Sequence, residues 1–160
     1  MVHLDVPMRR DSAFTLVEMM IVVAIIALLA AIAVPGFLRA RQRSQNAKFI
    51  NALRIASDAI TLYATENGGR YPADVNRGVV PAGMATYLDQ SLDWTGATPI
   101  GGRWDWDFNR PGAKASVAVV GSLASTERMQ EIDTMWDDGN LSTGRFREME
   151  DDRYADVVEP

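Results

Sequence analysis

The sequence predicts an α+β protein, in which one long N-terminal helix packs on a small antiparallel sheet. Three observations predict this class: an apolar run over residues 14–38, an apolar stripe at helical spacing after it, and short strand patterns in the C-terminal part. A chain of 160 residues is long enough for one modest hydrophobic core. We therefore expect an elongated helix that carries a single small head.

The first half of the predicted helix is apolar enough to cross a membrane. Residues 19–34 read MMIVVAIIALLAAIAV, and over residues 14–38 only Thr15 and Glu18 are polar interruptions. A helix of about 25 residues is about 37 Å long, whereas the hydrocarbon core of a bilayer is about 30 Å thick. We predict residues 14–38 as a transmembrane segment.

A kink is expected near the end of this segment. Pro35 removes one helical hydrogen bond, and its ring clashes with the preceding turn. Gly36 follows directly, so Pro35 and Gly36 together are the predicted position of the helix kink.

The second half of the predicted helix is amphipathic. Its apolar residues recur at spacings of four, three, four and three, which places them on one helical face. Asn67 and the glycines after it favour a helix end. We therefore predict residues 39–67 as an amphipathic continuation and residues 68–160 as a globular head. The residues of the stripe are Phe49, Leu53, Ala56, Ile60 and Tyr63.

The head is predicted to contain short strands and one helix. Residues 104–108 read WDWDF, and this alternation places the aromatic side chains on one face of a strand and the acids on the other. Residues 115–120 are a second strand candidate. Residues 126–136 form a predicted short helix with Thr126 as its cap. Closing strands are expected at Phe146 and at residues 154–158.

The composition excludes several classes of enzyme and binding protein. The chain has no cysteine, its only histidine is His3, and its net charge is −5. These counts exclude disulfides, cysteine-based metal sites, thiol nucleophiles and a histidine triad in the head. An acidic chain also lacks the basic character typical of nucleic-acid binding proteins. We expect no enzyme, no catalytic residue, no cofactor and no nucleic-acid partner.

The charges are unevenly distributed along the chain. Residues 39–54 carry five cations and no acid, whereas residues 55–160 carry 9 cations and 18 acids, a net charge of −9. A basic segment next to a membrane helix is suited to lipid head groups or to acids on another chain. The sequence leaves both interpretations open.

One acidic loop partly matches the pattern of a metal site. Asp138, Asn140 and Ser142 alternate like the start of a calcium loop, but the glycine comes one position late, at Gly144, and Met149 stands where such loops carry glutamate. We interpret the segment as a structural turn and predict no metal, with calcium as the weaker alternative.

The N-terminal sequence allows three interpretations. A secretory signal peptide would use Arg9 and Arg10 and a cleavage site at residues 31–33, but its apolar core would be unusually long. A plain membrane anchor explains the length of the run. Neither explains Glu18, since a carboxylate within a spanning helix costs several kcal/mol unless it has a partner.

The third interpretation accounts for the acid. The run RRDSAFTLVEMMIVV, residues 9–23, resembles the class III signal of type IV pilins and type II secretion pseudopilins. The resemblance implies cleavage of a cytoplasmic leader, residues 1–13, between Ala13 and Phe14, followed by N-methylation of Phe14. Family members usually carry glycine before the cut, where this chain has Ala13. Glu18 would be the fifth mature residue, and the kink a point where the helix can unwind when subunits pack.

The resemblance also implies a function and its partners. We expect a pilin-like subunit of a type II secretion pseudopilus, a filament that supports protein export, anchored in the inner membrane with its head in the periplasm. Expected partners are the prepilin peptidase and N-methyltransferase, other subunits of the filament and an inner-membrane assembly platform. Glu18 would pair with the amine of Phe14 on a neighbouring subunit and fix the register of assembly.

The sequence leaves two alternatives open. A type IV pilin, major or minor, would serve adhesion, motility or DNA uptake at the cell surface. A membrane-anchored periplasmic binding domain would use the helix only as a tether.

Overall fold

The computed structural model describes residues 14–88, 92–150 and 152–160. Helix α1, Leu16–Glu66, has 51 residues, and the described residues after it, 67–88 and 92–102, form turns and irregular segments. The remaining elements are strands β1, Arg103–Arg110, and β2, Ala113–Val120; helix α2, Thr126–Trp136; and strands β3, Phe146–Glu150, and β4, Arg153–Glu159. The α+β class and the long N-terminal helix are confirmed.

The chain divides into two compact units, with the boundary after Arg41. The first contains the apolar part of α1. The second begins at Gln42 and contains the rest of α1 together with all the strands and α2. The second half of α1 therefore belongs to the same compact unit as the sheet.

The apolar stripe on the second half of α1 forms one side of the head's core. Phe49, Leu53, Ala56 and Ile60 are completely buried, and Tyr63 is half-buried against the same cluster. Lys48 and Asp58, on other faces of this helix, are exposed. The amphipathic pattern predicted from the spacing is confirmed.

The four strands form one antiparallel sheet in the order β1-β2-β4-β3. Trp104 and Trp106 on β1 are buried in the core. Phe49 of α1 stacks on Trp104 with ring centroids 5.4 Å apart and ring planes within 3°. Such aromatic pairs add about 1 kcal/mol beyond the area that they bury. The stacking therefore helps to fix the second half of α1 against the sheet.

The acids of β1 lie on the opposite face of the sheet but are not solvated. Asp105 and Asp107 are only 3% and 2% exposed. Arg153 of β4 reaches Asp105 at 2.9 Å and Asp107 at 2.5 Å. Strand β2 lies between β1 and β4, so the arginine side chain reaches across β2 to the acids of β1. The two acids are therefore part of a buried ionic network.

Helix α2 begins where it was predicted, but its cap is a different residue. Ser125, with φ −69° and ψ 161°, is the N-cap, and its hydroxyl accepts a hydrogen bond from the backbone N–H of Arg128. Thr126 is already helical, so the prediction of Thr126 as the cap was wrong by one residue. Both side chains have a hydroxyl, and only the backbone conformation selects between them.

Candidate assembly and processing site

The first half of α1 presents an uncovered apolar surface. Phe14, Leu16 and Ile32 are 73%, 75% and 75% exposed. Among the residues that the structure describes, α1 is the one helix long and apolar enough to span a membrane, and none of its most apolar stretch is buried within the chain. Exposed apolar surface on this scale is unfavourable in water. This half of the helix is therefore suited to lipid or to the apolar helices of other subunits.

The first turn of α1 is closed by a pair of polar side chains. The Glu18 Oε2 atom accepts hydrogen bonds from the backbone N–H and from the hydroxyl of Thr15, both at 2.9 Å. In return, the backbone N–H of Glu18 donates to the Thr15 hydroxyl at 3.2 Å. This reciprocal arrangement is a capping box. Glu18 therefore has partners within its own chain.

Thr15 was missed as a functional candidate in the sequence. The signal was present, because a threonine followed three residues later by a glutamate, directly before an apolar run, is the sequence pattern of a capping box. The structure brings Thr15 and Glu18 together beside the predicted new N-terminus at Phe14. Ala13 and the rest of the predicted leader lie outside the described residues, so the cleavage site stays a prediction.

The predicted kink residues lie inside a continuous helix. Pro35 is within α1, which is helical on both sides of it. A Cβ atom added to Gly36 would meet no atom within 4 Å, so packing within the described chain does not require glycine here. The kink, and its role in filament packing, stay predictions.

The cations that follow the apolar segment are all exposed. They are Arg39, Arg41, Arg43, Lys48 and Arg54. The guanidinium of Arg54 lies 5.6 Å from the centre of the Trp136 ring, a cation–π contact within the head. The other four are positioned on the surface of α1, where lipid head groups or acids of another chain can reach them.

A group of acids lies at the end of α2, apart from the apolar helix. Ligand oxygens of Asp133, Asp137 and Asp138 all lie within 4.8 Å of one another. Burial, and then the nearby charges of Asp138 and Asp137, raise the pKa of Asp133 to about 6. A hydrogen bond from the Thr143 hydroxyl lowers the pKa of Asp138. The pKa is thus raised at Asp133 and lowered at the nearby Asp138.

The loop after α2 has the local geometry of a turn. Asp138 Oδ1 accepts from the backbone N–H of Asn140 at 2.8 Å, and Asn140 Oδ1 accepts from that of Ser142 at 3.1 Å. These two side chains therefore stabilise their own backbone. The turn predicted from the alternation is present, whereas Asp133, which completes the acidic group, was not identified from the sequence.

Comparisons with known proteins bear on the apolar helix and its polar first turn. A family model described as the prokaryotic N-terminal methylation motif matches residues 8–34. The type IV wide pilus major component PilA4 of Thermus thermophilus is 31% identical over 111 residues, covering 58% of this chain and 85% of that protein. The chain belongs to the type IV pilin-like family. A long apolar N-terminal helix and a small α+β head are consistent with this membership.

Two further relatives of this pilin-like chain match over shorter stretches. The type II secretion system core protein G of Aeromonas hydrophila is 33% identical over 64 residues, 40% of this chain and 44% of that protein. The type IV major pilin protein PilA of Myxococcus xanthus is 54% identical over 39 residues, 24% of this chain and 18% of that protein. The chain thus spans less than half the length of either relative. No solved structure gives a significant match.

Proposed function

We propose that this pilin-like protein is a structural subunit of a type II secretion pseudopilus and polymerises through its N-terminal apolar helix to support protein export. One observation carries the proposal: an uncovered apolar helix begins with the Thr15–Glu18 capping box inside a segment that matches the N-terminal methylation motif. A helix of this kind is stable only when lipid or other apolar helices cover it. The chain itself is proposed to perform no catalysis.

The proposal includes an order of events at the membrane. The prepilin peptidase removes residues 1–13 on the cytoplasmic side, and Phe14 becomes the methylated N-terminus. The subunit stays in the inner membrane through residues 14–38, with its head in the periplasm. The assembly platform then transfers the helix from lipid into a filament of similar helices. Glu18 sets the register there, because its carboxylate can exchange Thr15 for the charged amine of a neighbouring Phe14.

A type IV pilin is the second candidate function. The Thermus pilus component covers more of this chain than the Aeromonas secretion protein does, 58% against 40%, and this favours the pilin alternative. The absence of cysteine favours the pseudopilin, since many pilins close a C-terminal loop with a disulfide. Deletion of the gene distinguishes the two: loss of protein export supports the pseudopilin, and loss of surface fibres or twitching supports the pilin.

The processing step is tested by mass spectrometry of the protein isolated from its native membrane. We expect a first residue at Phe14 that carries one methyl group. Replacement Ala13→Gly, which restores the usual residue before the cut, is expected to leave the same N-terminus and to lower the unprocessed fraction. An intact protein starting at Met1, or one starting at Val34, would contradict the proposal. The intact protein would favour a membrane-anchored binding domain, and a start at Val34 would favour a secreted one.

A further inference from the structure

Two arginines of the head share a pocket. Arg77, in the segment after α1, and Arg103, at the start of β1, are both exposed and line a pocket of about 520 Å³. In the described part of the chain, neither forms an ion pair with a carboxylate. Arg110 and Arg153, by contrast, each pair with Asp107. The pocket therefore carries two positive charges that these ion pairs leave uncompensated.

Glycines make room for both guanidinium groups. A Cβ atom added to Gly78 would lie 3.3 Å from Nη1 of Arg103, and one added to Gly121 would lie 3.9 Å from Nη1 of Arg77. Each guanidinium thus lies against the backbone of a segment distant in sequence, and the two like charges face the same pocket. An anion bound between them would be attracted by both charges.

An exposed apolar side chain adjoins this pocket. Leu123 is 95% exposed, more than any large apolar side chain described on the uncovered first half of α1. Its loop is fixed beside the pocket, because the Ser122 hydroxyl donates to the carbonyl of Ile100 at 3.1 Å. A Cβ atom added to Gly101 would lie 3.6 Å from the backbone nitrogen of Leu123. One exposed leucine alone is ordinary, but this one projects next to two cations without ion pairs.

The pocket also adjoins the part of α1 that enters the head. Ala97 lines the pocket of the two arginines and also a neighbouring groove, which is lined by Ser44 and Lys48 of α1. Both residues follow closely in sequence after residue 38, where the predicted transmembrane segment ends. Lys48 is exposed and adds a third cation to this region. The basic pocket and Leu123 therefore belong to the part of the head that the chain tethers near the membrane.

We infer that Arg77 and Arg103 bind the phosphate of an anionic phospholipid while Leu123 inserts among the lipid chains, so that the head docks on the membrane before assembly. The planar guanidinium group matches phosphate oxygens in a bidentate manner. Basic residues with an adjacent apolar side chain suit the interface of an anionic bilayer. Residues 55–160 carry a net charge of −9, so the same surface repels the rest of the head and favours this orientation.

The inference goes beyond the proposed function and rests only on its membrane anchoring, whichever filament the subunit forms. Its consequence concerns the subunit before assembly. A docked head would hold the two arginines and Leu123 against lipid, and transfer into a filament would have to release them. Membrane docking would thus keep unassembled subunits in one orientation.

The test uses a spin label on the full chain. The protein has no cysteine, so Leu123→Cys provides one labelling site for an apolar nitroxide. The labelled protein is reconstituted into vesicles of phosphatidylcholine, with or without about 30% phosphatidylglycerol as the anionic lipid. Electron paramagnetic resonance then measures collisions of the label with oxygen, which concentrates in lipid, and with a water-soluble nickel complex. We expect the label to be in lipid when phosphatidylglycerol is present and in water when it is absent.

Charge variants show whether the pocket is responsible. In phosphatidylglycerol vesicles, Arg77→Gln combined with Arg103→Gln should lower the ratio of lipid-inserted to water-exposed label by about 30-fold, since each cation near an anionic surface contributes about fivefold. The matched control is Arg70→Gln, which removes an exposed cation just beyond the other end of the head's part of α1. This control should leave the ratio unchanged. Circular dichroism checks that all variants fold alike.

Several outcomes would overturn the inference. They are a label that stays in water in both kinds of vesicle, insertion that does not depend on phosphatidylglycerol, and equal insertion in the double variant. Burial of the label that rises with protein density rather than with anionic lipid would instead assign the pocket to acids of another subunit. Sedimentation with the vesicles after an alkaline wash tests the anchoring separately. Protein that fails to sediment would contradict the membrane anchoring and this inference together, whereas sedimenting protein with a water-exposed label would contradict this inference alone.

Discussion

At the scale of single residues, Glu18 has two possible hydrogen-bond partners, one neutral and one charged. Within one chain it accepts hydrogen bonds from the neutral hydroxyl and backbone N–H of Thr15. In the proposed filament it would meet the charged amine of a neighbouring Phe14, which adds an opposite charge to the hydrogen bond. The local partner lowers the cost of holding an acid in an apolar helix before assembly.

The first prediction concerns this exchange. Glu18→Ala is expected to reduce filament formation by roughly 100-fold, because loss of one member of a buried charge pair costs about 3 kcal/mol. Thr15→Val keeps the acid and removes only the hydroxyl, so it should reduce assembly far less. Filament yield after shearing, normalised to membrane-bound subunit, measures both. Normal assembly of both Glu18→Ala and Glu18→Asp would exclude a role in register.

At the scale of elements, the two helices are stabilised in different ways. The first half of α1 buries nothing within its chain, so its environment must come from lipid or other subunits. Helix α2 has only 11 residues and is short for independent stability. It depends on its cap and on the apolar contacts of Met129 and Ile132.

The second prediction separates the two candidate caps of α2. Ser125→Ala removes the hydroxyl that accepts from the backbone N–H of Arg128, and we expect the free energy of unfolding to fall by about 1 kcal/mol. Thr126→Ala removes a hydroxyl inside the first turn. It should lower the free energy of unfolding by less than about half of that amount. Urea unfolding of the full chain in micelles measures both. A larger loss for Thr126→Ala would show that the assignment of the cap is wrong.

At the scale of the whole molecule, the head is organised around the two faces of its sheet. One face packs on α1 through Phe49, whose ring contacts those of Trp104 and Phe146. The other face is held by a charge network in which Arg153 spans β2 to reach both acids of β1. Burial raises the pKa of Asp105, with a contribution from the charge of Asp107, and burial also raises that of Asp107. The two buried carboxylates therefore depend on Arg153 for a compensating positive charge.

The third prediction is a pH-dependent defect. Arg153→Met should lower the free energy of unfolding at pH 7 by about 3 kcal/mol, because it leaves the buried Asp105 without its ion-pair partner and Asp107 with Arg110 alone. A carboxyl group whose pKa is higher in the folded state binds its proton more tightly when folded. The stabilisation that comes from this bound proton is therefore present at low pH and is lost as the pH rises through the pKa of the folded state. The defect should shrink as the pH is lowered toward about 4.

A matched variant tests the importance of burial. Lys114 and Glu159 form an ion pair at 2.5 Å, but both side chains are more than a third exposed. Lys114→Met should therefore have little effect on unfolding at either pH, since exposed pairs contribute little. If Arg153→Met were equally mild, or equally destabilising at all pH values, the network would not stabilise the head as described.

Several structural elements of this protein can be predicted from local sequence, because they depend on the spacing of residue types alone. The apolar run, the stripe from Phe49 to Ile60 and the alternation in WDWDF each repeat with the period of one element. The leader, the cut after Ala13 and the function of Glu18 were inferred from resemblance, and the cleavage and assembly roles remain predictions. The cap of α2 was misplaced by one residue, because φ and ψ at Ser125 are set by how the chain enters the helix.

The sequence by itself determined that the chain has an apolar helix with an acid near its start, an acidic head and neither cysteine nor a histidine within that head. These features are periodic or compositional, so they can be identified without the three-dimensional structure. Only the tertiary structure decided which acids share a site. Asp105 meets Arg153 across two strand pairings, and Asp133 turns into the core from the end of α2. The first contact depends on the sheet order, which joins residues far apart in the chain, and the burial of Asp133 depends on how α2 packs on the head.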